Sequence, residues 1–161
     1  MIAPATRSAA ADPAAPLAAR FAQALRRVWP EGMGSGAGSE RCRLGLAVSG
    51  GPDSLALLLL ARAALPGRIA VASVDHGLRP AAAAECASVA ELCAGWNVPH
   101  ATLRVTVAPG NLQAGARAAR YAALAGWMEQ RGLAALATAH HADDQAETLL
   151  MRLNRGCGLA G

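Results

Sequence analysis

Six residues carry the first chemical signal. Ser49-Gly50-Gly51-Pro52-Asp53-Ser54 stands between a short apolar run, Arg43–Val48, and a segment of helical character, Asp53–Leu65. Two glycines let a backbone approach a ligand closely and take left-handed angles. Pro52 suits the first helical position, where its missing N–H is no loss. The unbonded amides of that turn and the helix dipole favour an anion, and Ser49 and Ser54 can add hydroxyl donors. A phosphate or pyrophosphate is the natural guest. The same residues would also make a plain strand-to-helix turn with a Ser or Asp cap. The spacing is not GxGxxG, so a dinucleotide site of Rossmann type is only weakly indicated.

A second cluster, His140-His141-Ala142-Asp143-Asp144-Gln145-Ala146-Glu147-Thr148, is dense in titratable groups. On a helix, His140, Asp144 and Glu147 share one face at i, i+4 and i+7. Asp144 and Glu147 could hold a metal, or acids near a helix start could simply complement its dipole. His140 could equally bond within a core, and two His with two Asp also admit a metal-dependent hydrolase. Between the clusters lie Asp75-His76-Gly77-Leu78-Arg79 and Asn111-x-Gln113-x3-Arg117-x2-Arg120-Tyr121. Asp75 either contacts a ligand or caps a turn, while His76 and Arg79 read as loop organisers. Arg117 can neutralise phosphate charge, Arg120 reads as a structural partner and Tyr121 as a packing residue.

The elements needed to position these residues are legible as an alternation. Apolar runs at Arg43–Val48, Arg68–Val74, His100–Val107 and Leu133–Thr138 read as strands. The spacing predicts helices over Asp53–Leu65, Pro80–Trp96, Leu112–Arg131 and Ala142–Leu153. Strands alternating with helices of this length give an α/β fold with a parallel, doubly wound sheet. In such sheets ligands sit at the carboxyl ends of the strands, and all four polar clusters fall there. Ahead of this unit, residues 1–15 lack periodicity, Leu17–Trp29 has an amphipathic helical pattern, and Pro30–Ser39 is a Gly/Ser linker. Two segments are therefore expected, an extension over 1–40 and the α/β unit over 41–161.

Composition excludes several alternatives. All 15 basic side chains are Arg and none is Lys, which removes a Walker A loop, protein-kinase catalysis and pyridoxal Schiff-base chemistry. Richness in Ala, Gly and Arg points to coding bias as the reason. The longest apolar run, Leu55–Ala61, is far short of the roughly 20 residues of a membrane span. Aromatic content of 3% disfavours a base-stacking surface. Net charge is +4, and residues 1–44 carry six Arg against three acids while 45–161 carry nine against eight. The basic excess thus lies in the N-terminal arm and hints only weakly at nucleic acid. Cys42, Cys86, Cys93 and Cys157 form no CxxC pair, so they read as buried small hydrophobes in a reducing cytoplasm.

With these motifs in view, the chain resembles a known family. SGGPDS is similar to the PP-motif of the N-type ATP pyrophosphatases. The five spaced motifs from about Arg43 to Gly161, including Arg155-Gly156-x-Gly158-x2-Gly161, resemble the tRNA(Ile)-lysidine synthase family. The resemblance implies an adenine nucleotide alpha-hydrolase-like fold, ATP and Mg²⁺ as cofactors, and tRNA(Ile) with a CAU anticodon and free L-lysine as partners. It implies that C2 of the wobble cytidine is adenylated and that lysine then displaces AMP, forming a carbon–nitrogen bond. By the same resemblance Ser49, Gly50, Gly51, Pro52, Asp53 and Ser54 hold the phosphates, and the backbone at Ala47 and Val74 receives adenine. Asp53 and Asp144 hold Mg²⁺, Asp53, Arg117, His140 and Glu147 are catalytic, and Glu147 could accept the lysine ammonium. A homodimer and a cytoplasmic location are compatible with it. Another PP-loop enzyme such as a cytidine thiolase, or a nucleotide-binding fragment without catalysis, stays open. In that family the final glycine motif falls mid-domain, so the expected catalytic domain runs on past Gly161, its last strand region and tRNA-binding domains lying beyond.

Overall fold

The computed structural model describes residues 15–33, 43–77, 80–106 and 112–140. The expected helix over 142–153, the acids Asp144 and Glu147 and the final glycine motif lie outside these residues. Element order is α1 (Ala15–Val28), α2 (Pro30–Met33), β1 (Leu44–Ala47), α3 (Pro52–Ala64), β2 (Ile69–Asp75), α4 (Pro80–Gly95), β3 (His100–Arg104), α5 (Leu112–Arg131) and β4 (Ala135–Thr138). The four strands and the helices between them match the alternation read from the sequence, each boundary within a few residues.

All strand pairs are parallel, in the order β3-β2-β1-β4. The chain steps outward from β1 to β2 to β3, then returns to lay β4 on the other side of β1. That reversal makes the doubly wound topology, and it opens a crevice above the carboxyl ends of β1 and β4.

Alternation of side chains along the strands builds two cores. Leu44, Leu46 and Val48 of the β1 run face one way, with Ile69 and Val71, and meet Leu58 and Ala61 of α3, Leu65 just past its end, and Val89 and Cys93 of α4. Ala47, Ala70 and Ala72 face the other way and meet Leu124 and Trp127 of α5 with Leu133. The second face is lined by small residues because a tryptophan lies on it. A Cβ on Gly45 would stand 2.9 Å from the Trp127 ring and 3.0 Å from Leu133 Cδ1.

The N-terminal segment departs from a simple arm and linker. Leu25 of α1 is buried in the same cluster as α3, with Phe21 and Trp29 packed beside it. The chain does not enter a linker at Pro30: Pro30–Met33 makes a helical turn. The Gly32 carbonyl accepts a hydrogen bond from Arg68 Nη2, and a Cβ on Gly32 would collide with the Trp29 ring. Apolar residues at 21, 25 and 29, one helical turn apart, drive this docking, and the glycine makes the close approach feasible.

Gly45→Ala should lower stability by about 1–3 kcal/mol, the cost of overpacking a filled core. Urea denaturation measures it; an unchanged midpoint would show that Trp127 does not press on β1.

Candidate functional site

The phosphate-type loop begins where β1 gives out. Val48 N–H still donates to Ala72 O at 2.9 Å, and the next residue is exposed. Gly50 then takes φ +92°, a backbone that side-chain-bearing residues rarely adopt. Gly51 (φ −70°, ψ 159°) caps α3, Pro52 opens the helix, and no side chain bonds to its first amides. The first helical bond is Leu55 N–H to Gly51 O, 3.0 Å. The loop therefore turns a helix N-terminus toward the crevice with no side-chain cap on its amides, an arrangement that suits an anion.

Ser49 and Ser54 separate into different positions. Ser54 is buried; its Oγ donates to Gly51 O at 2.8 Å and accepts from Ser49 N–H at 3.3 Å. It braces the turn. Ser49 Oγ lies 3.4 Å from Ser54 Oγ but on an exposed residue at the cleft wall. Asp53, also exposed, sits in the first turn of α3.

Two clefts meet over this loop. One is lined by Ser49, Gly51, Pro52, Asp53 and Ser54 together with Ala47, Arg120, Ala139 and His140, directly over the reversal between β1 and β4. The other is lined by Val48, Val74, His76, Ala82, Glu85 and Cys86, again with Ala47, Ser49 and Arg120. The structure thus brings together Ala47, Val74, the whole of Ser49–Ser54 except Gly50, and His140. Gly50 sets the turn from behind, where a Cβ on it would meet Glu85 and Val89 of α4.

Other expected residues fall elsewhere. Arg117 is exposed, with its guanidinium 5.2 Å from the centre of the Tyr121 ring, and lines neither cleft. Asp75 caps a turn, accepting Gly77 N–H on Oδ1 at 2.9 Å. Asp144 and Glu147 lie outside the described residues. His140 is exposed at the end of β4, with Nδ1 2.9 Å from Thr138 Oγ1. The sequence reading missed Ala82, Glu85 and Cys86. They belong to an Ala-rich helix with no polar motif, and only a position early in α4, at the carboxyl edge of the sheet, could have flagged them.

Electrostatics on this wall are dominated by burial. Burial pushes the Cys86 thiol up, and the nearby Asp75 and Glu85 carboxylates add to the effect; Cys93 is raised by burial alone. Both are therefore protonated and poorly nucleophilic near neutral pH. Beneath the loop, Ser73 Oγ donates to Val48 O at 2.7 Å and lies 3.1 Å from His100 Nε2. Because the hydroxyl proton is committed to Val48, the imidazole donates. Burial lowers the His100 pKa.

Comparison with known proteins now decides the family. A family model described as a PP-loop domain matches residues 17–161. The chain belongs to the PP-loop family. It is 59% identical over 120 residues to a tRNA(Ile)-lysidine synthase of Novosphingobium aromaticivorans, covering 74% of this chain and 37% of that protein. It is 51% identical over 121 residues to the enzyme of that name from Zymomonas mobilis, covering 74% and 36%. A third, from Methylobacterium sp., is 50% identical over 143 residues, covering 86% and 40%. The chain thus spans well under half the length of these curated relatives. Among solved structures, the U34-tRNA thiolase NcsA from Methanococcus maripaludis with its [4Fe-4S] cluster superposes with a TM-score of 0.65 at 15% identity, over 88% of this chain and 52% of that one. At that identity the likeness shows the PP-loop fold alone.

Two outcomes follow from this geometry. Gly50→Ala should cost about 1–2 kcal/mol, the penalty of a left-handed conformation with a Cβ, and should weaken anion binding, read by pyrophosphate titration; unaltered binding and stability would mean the loop does not need φ +92°. The lowered His100 pKa makes stability present above the unfolded value of about 6.5 and lost as pH falls through the folded value. Urea midpoints at pH 7.5 and 5.5 should show a drop that His100→Gln reduces; an equal drop in the variant would assign it to other groups.

Proposed function

We propose that this PP-loop chain is the ATP-binding, adenylating part of a tRNA(Ile)-lysidine synthase. The observation that carries the reading is a pair of clefts at the strand ends that share Ala47, Ser49 and Arg120, one lined by the phosphate-type loop and the other by Val74. A purine against Val74 leaves its phosphates on the loop amides. The relatives at 50–59% identity bearing that name supply the substrate class.

In this reading the loop amides hold the departing pyrophosphate of ATP. The O2 of the wobble cytidine of a CAU-anticodon tRNA(Ile) attacks the α-phosphorus, and the bond to the pyrophosphate breaks. The ε-amine of free L-lysine then attacks C2, and AMP leaves with the oxygen. Asp53, which lines the loop cleft, would help hold Mg²⁺, which would neutralise phosphate charge there. Mg²⁺ is commonly held by one or two carboxylates plus the phosphates themselves. Asp144 is its proposed second carboxylate. His140, which lines the loop cleft beyond the end of β4, orients the reacting groups in this reading. Arg117, exposed and outside both clefts, contributes positive potential. Glu147 receives the lysine ammonium.

Residues 41–161 form the PP-loop unit in this reading and 1–40 its appended segment, working in the cytoplasm, with a homodimer compatible. Among the described residues no helix is long and apolar enough to cross a membrane. A cytidine thiolase is disfavoured by the absence of any CxxC pair in the sequence. The alternative, second reading is nucleotide binding without turnover.

With ATP, Mg²⁺, L-lysine and a CAU-anticodon transcript, AMP release should require both lysine and the tRNA. Release needing neither would sink the substrate assignment, and ATP binding without release would select the second reading. Nucleotide should also shield Cys86. ATP is expected to slow its slow alkylation at pH 8 several-fold by peptide mass mapping; equal labelling with ATP bound would remove adenine from the Val74 wall.

A further inference from the structure

The peptide unit that leads into the phosphate-type loop is held at both ends by hydroxyl groups, and the bonds continue beyond each of them. Its carbonyl, Val48 O, accepts from Ser73 Oγ at 2.7 Å. Its N–H, on Ser49, donates to Ser54 Oγ at 3.3 Å. Ser54 Oγ donates onward to Gly51 O at 2.8 Å. On the other side, His100 Nε2 lies 3.1 Å from Ser73 Oγ. A hydroxyl carries a single proton, and that of Ser73 goes to Val48 O, so the imidazole supplies the N–H of the remaining bond. The donors then all point one way: His100 to Ser73, Ser73 to Val48, Ser49 to Ser54, Ser54 to Gly51. Hydrogen bonds in such a series polarise and strengthen one another. The series starts on β3, crosses β2 and ends at the residue that caps α3.

Strand register puts His100 at the head of the series. It stands opposite Val71 on β2. Val71 and Ser73, two positions apart, share a face of the sheet, so the imidazole meets Ser73 on the diagonal. Ser73 is fully buried, so water does not compete for its hydroxyl. We propose that His100 is a positioning residue for the phosphate loop: through Ser73 it fixes the plane of the Val48–Ser49 peptide, and with it the direction of the loop amides. This rests on the reading of that loop as the pyrophosphate site and deepens it. The next residue is Gly50, at φ +92°, and without a Cβ it offers little resistance to rotation of the peptides around it. The constraint has to come from outside the loop. With the carbonyl end released, only the 3.3 Å bond to Ser54 would hold that plane. His100 lines neither cleft, so its effect on an anion passes through the backbone.

The test uses the full chain in Mg²⁺ buffer, with inorganic pyrophosphate and adenosine as separate ligands read by calorimetry. His100→Leu should weaken pyrophosphate about three- to tenfold, as for loss of one neutral hydrogen bond, and leave adenosine within about twofold. His100→Gln, whose amide retains an N–H donor, should recover most of the loss. Ser73→Ala should weaken pyrophosphate as His100→Leu does, and the double variant no further than either alone, because both act through one peptide. Unchanged pyrophosphate affinity in His100→Leu overturns the proposal and leaves the nucleotide reading standing. An equal fall for both ligands, or additive losses in the double variant, overturns it in favour of general packing. A readout free of ligand is the ¹⁵N spectrum of the imidazole in the wild-type chain near pH 7.5. The proton should sit on Nε2; a proton on Nδ1 alone overturns the proposal whatever the chain binds. A wild-type chain that binds neither ligand removes the nucleotide reading and this proposal together.

Discussion

The site depends on one backbone constraint, the turn at Gly50. A parallel strand must hand over to a helix that runs back across the sheet, and here the reversal takes three residues. φ of +92° at Gly50 turns the chain; Gly51 then caps the helix without a side chain, and Pro52 starts it with φ already set. Each choice removes something. No Cβ blocks the approach, no side chain occupies the cap, and proline brings no amide needing a partner. What remains is a helix end whose amides face the crevice. Ser54 completes the turn from inside, accepting Ser49 N–H and donating to Gly51 O. A loop braced this way holds its donors before a ligand arrives, which lowers the ordering cost of binding.

The rest of the fold keeps that turn at the right height. β1 is buried on both faces and paired on both sides, so its carboxyl end cannot drift. One face carries leucines against α3 and α4, and the other carries Gly45 and Ala47 against Trp127 and Leu124. The small residues on the second face let α5 approach closely, which brings Arg120 over the crevice. The buried Ser73 anchors Val48 O, the last strand carbonyl before the loop. Packing at the bottom of α5 and electrostatics at its top are one arrangement.

Much of this was legible beforehand because the signals were local. Strand and helix periods were clear, the SGGPDS composition imposes a turn, and the topology rule put polar clusters at strand ends. The illegible parts were those that depend on tertiary placement. Arg117 and Arg120 differ by three positions and are chemically identical; both share a side of the helix with Leu124, and only the lining of the clefts tells which one reaches the groove. Ser54 read as a phosphate donor as readily as a brace, since its partner, the Gly51 carbonyl, is a backbone atom with no sequence signature. Glu85 and Cys86 were hidden in a helix of alanines. Pro30–Met33 looked like linker because glycine there suggests freedom, whereas Gly32 makes room for Trp29.

The absence of lysine from the sequence also acquires a physical meaning at this site. A Walker loop places an ammonium on the phosphates; this loop presents backbone amides from a strand-to-helix turn, and they cannot be titrated away. The mobile positive charge is confined to arginines, which stay protonated at any working pH. Two nearby titratable groups are held neutral or kept aside: Cys86 stays a thiol, and Asp75 is engaged in its own turn. A groove built so has an anion affinity that varies little with pH through its own donors. Proton dependence of chemistry there would then come from the reacting groups themselves.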